Sequence, residues 1–95
     1  MPRYVIERAW TALEEEEMAS KGALSKRILG ENEQFSSVTW EHSHVVMGED
    51  GQLKSFCVYS SPSTDLIRQH AEQLGDHTVK AIYEIGGDIS PADFD

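Results

Sequence analysis

Along the chain, apolar and polar positions alternate in four short stretches and follow a helical period in two longer ones. "RYVIER" (Arg3–Arg8) alternates with β-forming residues and predicts a first strand. Thr11 with Glu14 three residues later is a capping-box pattern that opens a helix running to about Leu29. Its apolar stripe is ragged (Met18, Ala19, Gly22, Ala23, Leu24, Ile28), and the run Glu14–Glu17 sits near its first turn, where it favours the macrodipole but repels itself. "GENEQFSS" (Gly30–Ser37) is a polar connection. Val38–Met47 and Gln52–Ser60 are rich in β-branched and aromatic residues and flank "GEDG", which predicts a hairpin. Ser63 is placed to cap a helix over Thr64–Leu74, with Gly75 at its C-terminal end and a stripe of Leu66, Ile67, His70, Ala71 and Leu74. "HTVKAIYEI" (His77–Ile85) alternates again, and Gly86–Gly87 break it.

The order is β-α-β-β-α-β, which predicts an α+β, ferredoxin-like domain: a four-stranded antiparallel sheet with both helices on one face. Residues 1–88 form this single domain and residues 89–95 an acidic C-terminal tail. The second face of such a sheet is left bare, and a second copy of the chain is the expected cover, giving a homodimer of the dimeric α/β-barrel type.

Charge and composition narrow the partners. The chain has 95 residues, 39% of them hydrophobic and 26% charged, in keeping with one folded domain. Its 8 Lys and Arg against 17 Asp and Glu give a net charge of −9. Phosphate neutralisation requires a basic patch, so nucleic acid is not an expected partner. No apolar run approaches a membrane span and the N-terminus lacks a signal-peptide pattern. The single cysteine forms no internal disulfide, and the expected compartment is the cytoplasm.

Candidate chemistry concentrates in "TWEHSHVVMGEDGQLKSFCVYSS" (Thr39–Ser61). A hairpin closed on "GEDG", with Met47 opposite Gln52, pairs positions that sum to 99. His42 then faces Cys57, His44 faces Ser55 and Trp40 faces Tyr59. Alternate residues share a side of a strand, so Trp40, His42, His44, Ser55, Cys57 and Tyr59 would form one patch on the bare face. Ser43, Val45, Met47, Phe56 and Val58 would pack under the helices, and Glu41 would point away from His42. Two imidazoles and a thiolate are donors suited to nickel, zinc or copper, which makes His42, His44 and Cys57 the candidate metal ligands, with Trp40 and Tyr59 lining the cavity beside them. A one-residue slip would send Cys57 to the other side. His70 is expected in or beside the core, His77 in solvent, and Trp10 over the start of the first helix.

The pieces "MPRYVIER", "WEHSHVV" and "CVYSSPSTDLIRQHA", in this order and at these distances, resemble the small nickel-responsive proteins. That resemblance covers Pro2 to about Ile85. It implies a ferredoxin-like dimer related to the dimeric α/β barrels and an association with nickel. Two positions depart from the family pattern: His42-Ser43-His44 stands where members often read His-Ser-Tyr, and Ser60 stands where an acidic residue often follows Cys-Val-Tyr. The function expected is metal buffering or sensing without catalysis. The alternative is a dimeric α/β-barrel isomerase, dehydratase or cofactor-free oxygenase, in which His42 or His44 is a general base and Trp40 and Tyr59 hold an apolar substrate; a small-molecule binding module is the third reading.

Overall fold

The computed structural model describes residues 1–11 and 15–94. Four strands, β1 (Arg3–Trp10), β2 (Thr39–Met47), β3 (Leu53–Ser60) and β4 (His77–Glu84), alternate with two helices, α1 (Glu15–Glu31) and α2 (Thr64–Leu74). They form one antiparallel sheet in the order β2-β3-β1-β4, the ferredoxin-like arrangement expected. The expected Thr11–Glu14 capping box falls partly outside the described residues.

Both helices lie over the same side. Ile28 and Leu29 of α1 and Ile67 of α2 pack with Tyr4, Ile6, Cys57 and Tyr59, and a second cluster joins Trp10, Leu53 and Leu74 to Met18 and Leu24. The Cα envelope is 43 × 37 × 19 Å, its short dimension holding one sheet and one helical layer. α2 is well specified: the Ser63 hydroxyl accepts from Leu66 N, and Gly75 ends the helix at φ +71°. Its buried face is Ile67, His70, Ala71 and Leu74.

Three local expectations change. β1 runs on to Trp10, whose indole Nε1 donates to Ser55 Oγ at 2.9 Å and whose ring lies against His77, so Trp10 is a core residue of the strand end. His77 is accordingly half-buried rather than solvated, with its Nδ1 2.8 Å from Gly75 O. The polar connection after α1 folds a 3-10 turn (Glu33–Phe35) that drives Phe35 fully into the core.

His70 joins the two helices. Its Nε2 lies 3.1 Å from Ser25 Oγ of α1, its ring meets Phe35 edge-on, and its Nδ1 has no partner. Burial, followed by the positive charge of Arg8, pushes its pKa down to about 4.

The hairpin turn has five residues rather than four. Gly51 N donates to Gly48 O at 2.9 Å, Gly51 adopts φ +83°, and Gly48 N then donates to Gln52 O at 2.8 Å. Asp50 Oδ1 accepts from Gln52 N at 3.0 Å and stiffens the bend. Met47 therefore pairs with Leu53.

Two predictions follow from this architecture. Gly51→Ala places a Cβ on a left-handed backbone and is expected to cost about 1–2 kcal/mol, read as a lowered denaturant midpoint with unchanged slope. An exposed histidine in the unfolded chain takes a proton near pH 6.5, whereas folded His70 resists one down to about pH 4. The unfolded state thus binds more protons between those values, so stability is present above about 6.5 and falls on acidification through the window. His77, lowered chiefly by burial, acts in the same direction. The melting temperature of the wild type should drop between about pH 7 and about pH 5, and drop less in His70→Gln; equal drops would place the acid sensitivity elsewhere.

Candidate functional site

The five-residue turn shifts the β2–β3 pairing from the expected sum of 99 to 100. Ser43 lies opposite Cys57, His44 opposite Phe56 and Val45 opposite Ser55. A β-bulge then inserts Glu41 between Trp40 and His42, so that His42 pairs with Val58 while Trp40 still pairs with Tyr59. At Trp40 the two one-residue shifts cancel.

This register divides the expected patch between two sides of the sheet. His42 and His44 lie on the open side, in rows with Val58, Val5 and Tyr83 and with Phe56, Glu7 and Ala81. Cys57, Ser55, Tyr59 and Trp40 lie under the helices with Ser43, and Val45 shares that side at its exposed rim. Phe56 and Val58, expected in the helix-facing core, are the apolar residues of the open side. Glu41 also differs from expectation: both its oxygens bind Arg3 (2.9 and 3.0 Å) and Oε2 accepts from Ser60 Oγ at 2.9 Å, all on the open side near His42. Those contacts, the Arg3 guanidinium first, hold the Glu41 carboxyl below the usual carboxylate range.

The histidines remain together. Their rings are 5.4 Å apart, close to perpendicular, and exposed. The only cysteine is 4% exposed, its Sγ 3.5 Å from Ser55 Oγ, with the sheet between it and both imidazoles. Among the described residues no three His, Cys, Asp or Glu side chains gather closely enough to hold a metal ion. Among the described residues the open side brings two imidazoles together, and no third such side chain joins them closely enough.

The helix-facing half of the patch forms a second feature, a cavity of about 240 Å³ between α1 and the sheet. Its origin is legible in side-chain size: Gly22 and Ser25 of α1 face Ser43, Ser55 and Cys57 of the sheet, small against small. Trp40 and Tyr59 stack with ring centroids 6.4 Å apart, and Trp40 Nε1 donates to Ser43 Oγ at 2.9 Å. Arg8 is 1% exposed at the floor, its Nη2 3.4 Å from Tyr59 Oη. Burial raises the Tyr59 pKa, and the Arg8 charge partly opposes that rise. Sequence reasoning missed Arg8 as an inward-facing residue; its parity with Tyr4 and Ile6 along β1 was the available signal.

The enzyme arrangement expected as an alternative needed a histidine base beside Trp40 and Tyr59 in one cavity. The structure places the aromatic pair under the helices and both histidines on the opposite side.

No helix among the described residues is long and apolar enough to cross a membrane. No curated protein matches the chain. Residues 4–85 match the family described as "Nickel responsive protein SCO4226-like". The match takes in β1 from Tyr4 onward, the three other strands and both helices, with the histidine pair and the cysteine. By that match the chain belongs to the SCO4226-like nickel-responsive protein family.

Proposed function

We propose that this protein binds a divalent transition-metal ion, nickel first, through His42 and His44 at an interface between two copies of the chain, and that it serves metal buffering or sensing rather than catalysis. The observation that carries the reading is the exposed pair of imidazoles on the open side of the sheet, with rings 5.4 Å apart. Rings that close on one face can share an ion by side-chain rotation, without movement of the strand. Imidazole nitrogen suits nickel, zinc and copper, and membership of a nickel-responsive family favours the first.

Two donors leave most of the coordination shell of nickel open. Water or a second copy has to fill it, and the sheet supports a second copy. Val5, Phe56 and Val58 give the open side an apolar centre, and Tyr83 and Val46 stand exposed beside it. A twofold pairing of two such faces would bury that area and supply further donors from the partner. Cys57 stands outside this donor set because its sulfur lies beneath the helices.

The test loads the purified protein with nickel, removes weakly held ion by gel filtration, and measures metal content with mass in solution. Wild type is expected to elute as a dimer retaining near-stoichiometric nickel. His42→Ala with His44→Ala should retain only traces, while Cys57→Ser should retain as much as wild type. Equal traces in wild type and the double histidine variant would end the reading. Loss of nickel in Cys57→Ser alone would move the site under the helices.

A further inference from the structure

Arg8 is a buried guanidinium with no counter-ion among the described residues. Its side chain is 1% exposed, its Nε has no hydrogen-bond partner, and no carboxylate pairs with it among the described residues. Its remaining contacts are the long bond to Tyr59 Oη and a position 5.4 Å from the centre of the Tyr59 ring. A buried cation is costly unless it is paired, and five N–H donors seek acceptors. The neighbouring His70 supplies no compensating negative charge.

The same residue lines the cavity beneath α1, which holds no carboxylate among its described walls although the chain carries a net charge of −9. The other cation there, Lys21, is already satisfied by Asp76 at 2.7 Å and Leu74 O at 2.8 Å. Ser43 and Ser55 each accept from an indole N–H, which leaves their own hydroxyl hydrogens free to donate. Trp10, Trp40, Met18 and Val45 make the rest of the wall apolar. The volume, about 240 Å³, equals that of about eight waters in the liquid and lies just below the range of drug-sized sites.

We propose that this cavity binds a small organic monocarboxylate with an aromatic or branched apolar body. The carboxylate pairs with Arg8 and accepts from the serine hydroxyls, and the body lies between Trp10, Trp40 and Met18. A single unpaired guanidinium in apolar walls matches a singly charged acid better than phosphate, whose second charge would go unmatched. The site stands apart from the histidine pair and does not rest on metal binding.

The test titrates EDTA-treated full-length protein with benzoate, phenylacetate and isovalerate, each beside its neutral amide, at constant ionic strength. Fluorescence of Trp10 and Trp40 and calorimetry report binding. At least one acid should bind saturably, one per chain, with its amide at least about tenfold weaker, the scale of a lost charge-assisted hydrogen bond. Arg8→Gln should erase the preference of acid over amide. Gly22→Leu fills the cavity, since a Cβ there already meets Trp40 Cη2 at 3.8 Å. It should weaken binding at least about tenfold while holding or raising the melting temperature, because glycine is a poor helix former. No saturable binding of any acid up to roughly 10 mM, equal binding of acid and amide, or unchanged binding in Gly22→Leu would each overturn the proposal. Should Arg8→Gln fail to fold, the acid–amide comparison on wild type and the Gly22→Leu result still decide it.

Discussion

The bond from Gly48 N to Gln52 O, 2.8 Å long, closes the hairpin between β2 and β3 and makes Met47 and Leu53 its first strand pair. Strand side chains alternate with a period of two, so this one closure assigns each following residue to a side. It puts Ser43, Val45, Ser55 and Cys57 on the helix-facing side and His44, Val46, Phe56 and Lys54 on the open side. Gly51 takes the left-handed backbone of this five-residue bend at φ +83°; a four-residue bend would have paired Met47 with Gln52 instead. The location of the cysteine, the exposure of the histidines and the contents of the cavity all descend from it.

Under the helices that register produces a layer with too little side-chain volume. Tyr4, Ile6, Phe35 and Ile67 fill one end of the core and Trp10, Leu53 and Leu74 the other. Between them Gly22 and Ser25 look down on Ser43, Ser55 and Cys57. A core selected for stability alone would fill that gap with methyl groups, since native interiors are close-packed. Here the gap is bordered by a guanidinium unpaired among the described residues, and a buried charge costs several kcal/mol before pairing. A void and a cation unpaired among the described residues thus stand at one spot, and each costs stability.

The elements were legible in the sequence because each rested on local signals. Ser63 and Gly75 bracket α2 with side-chain and backbone chemistry that no distant residue alters, and the alternation of β1 and β4 marked them as strands. The register was not legible, for a physical reason. β3 is central and apolar on both sides: Phe56 and Val58 face one way, Cys57 and Tyr59 the other. The hydrophobic pattern therefore could not choose between two registers one residue apart, and the choice passed to the turn, where Asp50 and Gly51 add a residue that composition does not reveal. Phe35 escaped for a related reason, a single apolar residue among polar ones whose burial depends on α1 ending nearby. The faces of His42 and Cys57 depended on this same parity, which is why the candidate ligands separated although the fold came out as expected.

The bulge at Glu41 lets one strand serve both sides. Trp40, His42 and His44 have the same parity, so in a regular strand they would share a face, and Ser43 would lie on the other. The extra residue breaks that rule between Trp40 and His42. It brings Trp40 and Ser43 to one side, where the indole N–H reaches the hydroxyl at 2.9 Å, and leaves both imidazoles on the other. β2 is an edge strand, hydrogen-bonded within the sheet to β3 alone, so the bulge disturbs one ladder where a central strand would lose two. The bulged carboxylate is taken up by Arg3 and Ser60, which anchors the insertion. Without the bulge the strand would have to surrender either the aromatic wall of the cavity or the outward histidine pair. With it, consecutive residues of a single edge strand face a cavity bordered by Arg8 on one side of the sheet and an open imidazole surface on the other.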